Sequence, residues 1–184
     1  DVPHDWSILG NYDHNNPTGR GGGYLPSGIG WYRKHFSLNA TDAQKHVFVE
    51  FDGIMANSDV WINGYHLGKR PYGYISFVYE LTGHLNFGKG KTNVLSVRAD
   101  NSIQPASRYY TGAGIYRHVH LVITNPVHID TWGVFVTTPQ VSSERATVHI
   151  KTTVVNQSSS AKKISVQSSL AGELSGAVSG RPAN

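Results

Sequence analysis

The sequence predicts an all-β fold, and three observations support this class. Short segments in which apolar and polar residues alternate recur along the chain, and alternation is typical of half-buried strands. Glycine is abundant, at 20 of 184 residues, which suits many turns between short strands. No long segment repeats its apolar residues at helical spacing. We therefore expect a β-sandwich built from short strands.

The first predicted strands follow a long N-terminal loop. Residues 1–30 are rich in Gly, Asn and Pro and show no apolar period, so we expect loop structure there. Residues 31–36 form a short aromatic segment that predicts the first strand. In the strand that follows, Val47, Val49 and Phe51 share one face, which is the expected core face.

A tight hairpin is predicted around Asn63-Gly64. Residues 59–62 and 65–68 read as its two strands, and Asn and Gly both tolerate the positive φ that a two-residue turn needs. Further elements are expected at residues 74–81 (a strand), 81–85 (a short helical turn), 93–99 (a strand) and 116–124 (a strand). Trp31 and Trp61 sit in strand segments, and we expect them to pack in the core or between sheets.

The composition changes after Asn125-Pro126. Residues 1–125 are predicted to form one domain, and residues 126–184 the opening part of a second β-sandwich. Its strands are expected at residues 127–138, 146–155 and 162–170. The tail from about residue 171 is rich in Gly, Ser and Ala, and we expect it to be mobile.

Composition also excludes several classes of function. The net charge is +4, but the basic residues are scattered, so neither a nucleic-acid partner nor a membrane partner is expected. No apolar run is long enough for a membrane span, and no signal peptide is evident, so we expect a soluble domain of cytoplasmic, periplasmic or secreted location. The absence of cysteine excludes disulfides and thiolate metal sites.

Several segments, read in order, resemble one family. They are residues 2–6, 21–26, 30–34, 51–53, 59–64, 97–102 and 112–117, with sequences such as DVWING and GAGIYR. In this order they are similar to the N-terminal sugar-binding domain of glycoside hydrolase family 2, the β-galactosidase group. The resemblance implies a jelly roll of the galactose-binding type, followed by an immunoglobulin-like domain of which only part is present.

The resemblance also implies a role for the chain. A parent enzyme of this family hydrolyses a terminal β-linked sugar with retention, using a pair of carboxyl groups on a catalytic barrel. Neither the four glutamates of this chain nor a pairing of Asp5 with Asp100 or Asp59 fits that role, so we expect this fragment to be inactive alone. It would shape the sugar subsite and support the barrel. A free-standing carbohydrate-binding module, or a β-glucuronidase or β-mannosidase parent, is the alternative.

The strongest candidate site residues are Asp100, Asn101, Arg108 and Tyr109. Asp100 ends a predicted strand, and a carboxylate can accept two sugar hydroxyls. The resemblance implies that an aspartate at this position contacts the galactosyl unit and, in some members, a monovalent cation. A turn cap is the alternative role for Asp100, and an ion pair that packs the loop is the alternative for Arg108.

The remaining predictions concern metals, partners and the N-terminus. His118 and His120 share a strand face, which we interpret as a solvent-exposed face because spacing provides no third ligand. No metal or cofactor is therefore predicted for this chain, although the parent enzyme could hold a monovalent or divalent cation. The expected partners are a carbohydrate, the catalytic barrel and, in an oligomer, further copies. The segment His4-Asp5-Trp6 is interpreted as an anchor against a neighbouring domain.

Overall fold

The computed structural model describes residues 1–171. The chain divides into two compact units, Asp1–Asn125 and Pro126–Asn184. The predicted mobile tail lies almost entirely outside the described residues, so its mobility stays a prediction. The described part is nearly all β, as the sequence predicts, and none of its helices is long and apolar enough to cross a membrane.

The first unit contains seven strands in two antiparallel sheets. The strands are β1 (Ile29–Phe36), β2 (His46–Phe51), β3 (Ser58–Ile62), β4 (Tyr65–Arg70), β5 (Phe77–Glu80), β6 (Asn93–Asp100) and β7 (Val119–Thr124). One sheet has the order β1-β6-β3-β4, and the other has the order β5-β2-β7. A short 3-10 turn at Ala40–Asp42 lies between β1 and β2, and another at Thr82–His84 lies between β5 and β6. The predicted helical turn and strands of this unit are thus present.

The core lies between these two sheets. Val47, Val49 and Phe51 of β2 are fully buried, as alternation predicts, and Val60 and Ile62 of β3 face them from the other sheet. Fully burying a side chain of this size stabilises the fold by about 1.5–3 kcal/mol. Each sheet therefore covers the apolar face of the other.

The β3–β4 hairpin forms around Asn63-Gly64, as predicted. Both turn residues have positive φ, 50° and 86°, which matches the right-handed twist of the paired strands. The Asn63 side chain donates a hydrogen bond of 2.8 Å to the Oδ1 of Asn93, a fully buried residue. Asn93 also accepts a bond from the backbone of Asn86 and donates one back. This satisfied polar cluster fixes the turn against β6.

Trp31 and Trp61 do not lie in the core. They project from the outer face of the four-stranded sheet, with ring centroids 5.4 Å apart, and Trp31 is 51% exposed. The prediction of core packing was wrong for both residues. Their immediate strand neighbours point inward, so a period of two places the indoles outward.

The described residues of the second unit contain a single hairpin. The long strands β8 (Val127–Val141) and β9 (Ala146–Asn156) pair antiparallel with two irregularities in register. Residues 162–170, predicted to be a strand, form none, and their apolar side chains are exposed. A strand needs a neighbour for its backbone groups, and neither β8 nor β9 pairs with this segment.

Candidate functional site

The candidate site lies where β6 ends and the loop of residues 101–114 begins. A cleft of about 190 Å³ opens beside this loop. Its lining includes Tyr72, Tyr74, Asn101, Gln104 and Thr111. The loop is held to the sandwich by paired backbone hydrogen bonds between Met55 and Gly114, 2.9 and 2.7 Å long. The cleft is therefore built on a backbone that is tied at both ends.

Asp100 is held in place by local contacts. Its carboxylate accepts a 2.7 Å bond from the Arg98 guanidinium, and bonds of 2.9 and 2.6 Å from the backbone N–H and hydroxyl of Ser102. Burial raises the pKa of Asp100, but the Ser102 bonds and Arg98 outweigh it, so the pKa lies below its usual value. A carboxylate offers about four acceptor positions. Contacts within the unit therefore occupy three of these positions.

Asn101 connects three segments of the unit. Its side chain accepts a 2.9 Å bond from the Gly28 N–H and donates one of 3.3 Å to the Gly112 carbonyl. Its own carbonyl accepts a bond from the Gln104 amide. The residue is only 8% exposed. These contacts position the loop, and they use much of the side chain's bonding capacity.

Arg108 and Tyr109 lie on the exposed part of the loop. Tyr109 is 62% exposed, and its hydroxyl lies beside that of Tyr74 at the rim of the cleft. Burial, followed by the neighbouring Tyr109 hydroxyl, raises the pKa of Tyr74. Residues 21–26 also approach this loop, since a Cβ on Gly21 would stand 3.1 Å from the Ser107 carbonyl. The two loops therefore meet.

The N-terminal segment is hydrogen-bonded to the loop that carries the candidate site. The Tyr110 hydroxyl donates to the carboxylate of Asp5, with 2.7 Å to each oxygen. Burial, together with Asp5, raises the pKa of Tyr110. The Trp6 indole fills the space beside Gly30, where an added Cβ would come within 2.7 Å of it. The predicted anchor therefore contacts its own unit, and its expected contact with a neighbouring domain stays a prediction.

The other charged candidates take part in ion pairs at two separate places in the unit. Asp59 accepts a bond from His66 and shares Arg98 with Asp100. His118 and His120 are exposed, and each has a ring nitrogen 3.8 Å from an oxygen of Asp52. Within residues 1–171, no group of three or more His, Cys, Asp or Glu side chains is arranged to hold a metal ion.

Sequence reasoning missed the cleft and the Asp5–Tyr110 bond. The cleft residues Tyr72 and Tyr74 lie in a loop before β5, and only aromatic enrichment near glycine distinguishes them in the sequence. Asp5 and Tyr110 are 105 positions apart, so spacing offers no signal for their contact. Of the four predicted residues, Asp100 ends β6 and the other three lie on the loop that follows, but only Asn101 lines the cleft, and Tyr109 lies beside the lining residue Tyr74.

The two packed antiparallel sheets define a β-sandwich domain, and the loop after β6 forms a cleft on its surface. The sequence profile described as glycosyl hydrolases family 2, sugar binding domain, matches residues 22–126. The chain therefore belongs to glycoside hydrolase family 2, and it contains the family's sugar-binding domain.

Individual relatives agree with this assignment. The chain is 52% identical to β-galactosidase BoGH2A of Bacteroides ovatus over 92% of its own length and 20% of the relative's. It is 32% identical to a β-glucuronidase of Formosa agariphila over 89% of its own length and 19% of the relative's. The crystal structure of a β-glycosidase from Bacteroides vulgatus matches with a TM-score of 0.80 and 42% identity, over 87% of this chain and 20% of that one. The chain thus spans about one fifth of these relatives.

Proposed function

We propose that the chain is the non-catalytic N-terminal part of a retaining family 2 glycoside hydrolase that acts on β-galactosides. In this role it shapes the sugar subsite and supports a catalytic barrel contributed by the rest of the parent protein. The observation that carries the proposal is the 52% identity to a β-galactosidase of which the chain spans 20%.

The geometry of the site supports a contributing role. The cleft is small and open, so a sugar bound to this chain alone stays largely hydrated. A hydrogen bond then gains only about 0.5–1.5 kcal/mol over water, which does not offset the freedom that a small ligand loses on binding. We expect galactose to bind the isolated chain at millimolar strength or weaker.

Activity assays test whether this chain is non-catalytic and the rest of the parent protein catalyses the reaction. The purified chain and the whole parent protein are compared on nitrophenyl β-galactoside, β-glucuronide and β-mannoside. We expect turnover of the galactoside by the parent and none by the chain. Turnover by the chain that disappears when one of its own carboxylates is replaced would overturn the proposal. Micromolar binding of galactose to the chain, measured by calorimetry, would favour a free-standing binding module.

Asp100 is the residue to test in the parent enzyme. If the carboxylate also contacts the sugar, Asp100→Ala lowers kcat/KM by a factor that corresponds to about 1.5–3 kcal/mol of transition-state stabilisation, because a desolvated charge-assisted bond is lost. The matched control is Ser102→Ala, which removes a bond of the turn but keeps the carboxylate. Equal losses in the two variants would show that Asp100 acts only by holding the turn.

A β-glucuronidase parent is the second candidate. The 32% identity to a β-glucuronidase favours it, together with the exposed guanidinium of Arg108 on the site loop. A glucuronide carries a carboxylate that a guanidinium binds through paired hydrogen bonds. Arg108→Gln should then reduce glucuronide turnover selectively, whereas a galactosidase should change little on its own substrate.

A further inference from the structure

The outer face of the four-stranded sheet carries a cluster of stacked side chains outside the site described above. The indoles of Trp31 and Trp61 stack with an interplanar angle of 29°. The guanidinium of Arg33 lies 6.0 Å from the Trp31 ring, and the His66 ring lies 5.0 Å from that of Trp61. We call these four residues the tryptophan cluster. Exposed aromatic clusters of this kind mark surfaces that another molecule covers.

The stacking argues against a sugar as the covering molecule. A pyranose ring needs an open aromatic face, and the amphipathic aromatic residues of such sites present one. Here each indole already contacts the other, and each has a second partner in Arg33 or His66. The stacked rings lie on the outer face of the sheet, and Trp31 is 51% exposed. Trp and Arg are enriched among the residues that contribute most to binding at protein interfaces.

The charged side chains next to the tryptophan cluster differ in whether they form ion pairs within the described residues. Asp59 accepts a 3.0 Å bond from His66, and its other oxygen lies 3.7 Å from Arg98. By contrast, none of the carboxylates described within residues 1–171 forms an ion pair with the exposed Arg33 or Lys69. A covering surface that complements this face supplies carboxylates at its two edges and an apolar pocket at its centre.

We propose that the tryptophan cluster docks onto polypeptide of the parent protein outside this chain. The inference rests on the proposed function, because it takes this chain to be one fifth of a larger enzyme. The occupant is an apolar pocket flanked by acidic side chains, on the part of the parent that carries the catalytic barrel. The interface holds the sugar-binding domain at a fixed position against that part.

Cysteine labelling tests this interface without relying on activity. The chain contains no cysteine, and Ser96 pairs with both Trp61 and Arg33 on the same face, so Ser96→Cys introduces a thiol inside the proposed interface. Thr41→Cys, in an exposed turn, is the matched control. Maleimide labelling of each site is read by peptide mass spectrometry in the 184-residue chain and in the whole parent protein.

We expect the Ser96→Cys site to label at least about ten-fold more slowly in the parent than in the chain, while the Thr41→Cys site labels at similar rates. Equal rates at the Ser96→Cys site in both proteins would overturn the proposal. Protection in the chain alone by galacto-oligosaccharides would overturn it in favour of a sugar surface. Protection in a parent that cleaves no β-glycoside would support docking while defeating the proposed function.

A stability comparison provides a second, independent measurement. Trp31→Ala should lower the Tm of the whole parent clearly more than that of the chain, because the buried interface exists only in the parent. Tyr65→Ala is the control, since Tyr65 has similar exposure at the end of the same sheet. Equal Tm shifts for Trp31→Ala in the two proteins would show that the tryptophan cluster stabilises only its own sheet and would overturn the proposal.

Discussion

Residues 1–125 and residues 126–171 contain similar alternating strands but differ in what those strands bury. In the first region, alternation produces a core shared by two sheets. Among the described residues of the second region no side chain is buried, and Phe135 of β8 is 65% exposed. Pairing satisfies the backbone of a strand, but a hydrophobic core needs a second layer facing the sheet. The difference shows that strand formation and core formation are separate steps of the fold.

The sharpest test of this difference replaces one phenylalanine in each region. Phe51→Ala removes a fully buried ring and should lower the free energy of unfolding by about 3–5 kcal/mol. Phe135→Ala removes an exposed ring and should change it by less than about 0.5 kcal/mol. Urea unfolding followed by fluorescence measures both. A loss above about 2 kcal/mol for Phe135→Ala would show that Phe135 is buried, and the two regions would then not differ in this respect.

Buried polar groups should show the same contrast at smaller magnitude. Asn93→Ala removes the partner of the Asn86 backbone groups and one of the two acceptors of the Asn63 amide, which keeps its bond to the His84 carbonyl. We expect a loss of about 1–3 kcal/mol in the free energy of unfolding. Asn156→Ala, at the exposed end of β9, should change it by less than about 0.5 kcal/mol. Equal losses measured by urea unfolding would mean that the two amides are equally desolvated.

The two hairpin turns extend the comparison to backbone conformation. Gly64 has a φ of 86° with open space where a Cβ would stand, so Gly64→Ala adds conformational strain and no clash. We expect the free energy of unfolding to fall by about 1–2 kcal/mol, because positive φ is costly for an L-residue. Ser143→Ala in the exposed β8–β9 turn should cost almost nothing. Thermal unfolding measures both, and no loss for Gly64→Ala would mean that the turn can adopt another conformation.

The smallest expected effect is a pH dependence that comes from Asp100 in the first region. The pKa of Asp100 is depressed in the folded state, so its contribution to stability is present above the unfolded pKa of about 3.9 and disappears as pH falls through the folded value. Asp100→Asn should therefore flatten the loss of stability below about pH 4. Unfolding measured across the acid range would contradict this assignment if both proteins lost stability equally.

Local sequence signals predicted the elements that depend on neighbours along the chain. The Asn63-Gly64 turn and the buried face of β2 follow from turn chemistry and alternation, and both are confirmed. The failures required information from distant parts of the chain. Residues 162–170 alternate as a strand does, but pairing depends on a partner that the pattern does not specify.

The candidate site also contains features that the sequence predicts and features that it does not. The position of Asp100 at a strand end was predictable, because β6 alternates clearly up to that residue. The engagement of Asn101 with Gly28 and Gly112 was not, since it depends on how separate loops meet in space. Sequence thus indicates which loop carries the site, while the fold decides which of its side chains stay free.

The bond between Asp5 and Tyr110 has a consequence for the order of assembly. It joins residues 105 positions apart, and the backbone of His4 makes a similar connection to Ile115. Closing so long a segment is entropically costly and slows folding. During synthesis, His4 and Asp5 can meet these partners only after the segment that carries Tyr110 and Ile115 has been made. We therefore expect these contacts to form late in folding and the loop of residues 101–114 to be held in place only at that stage.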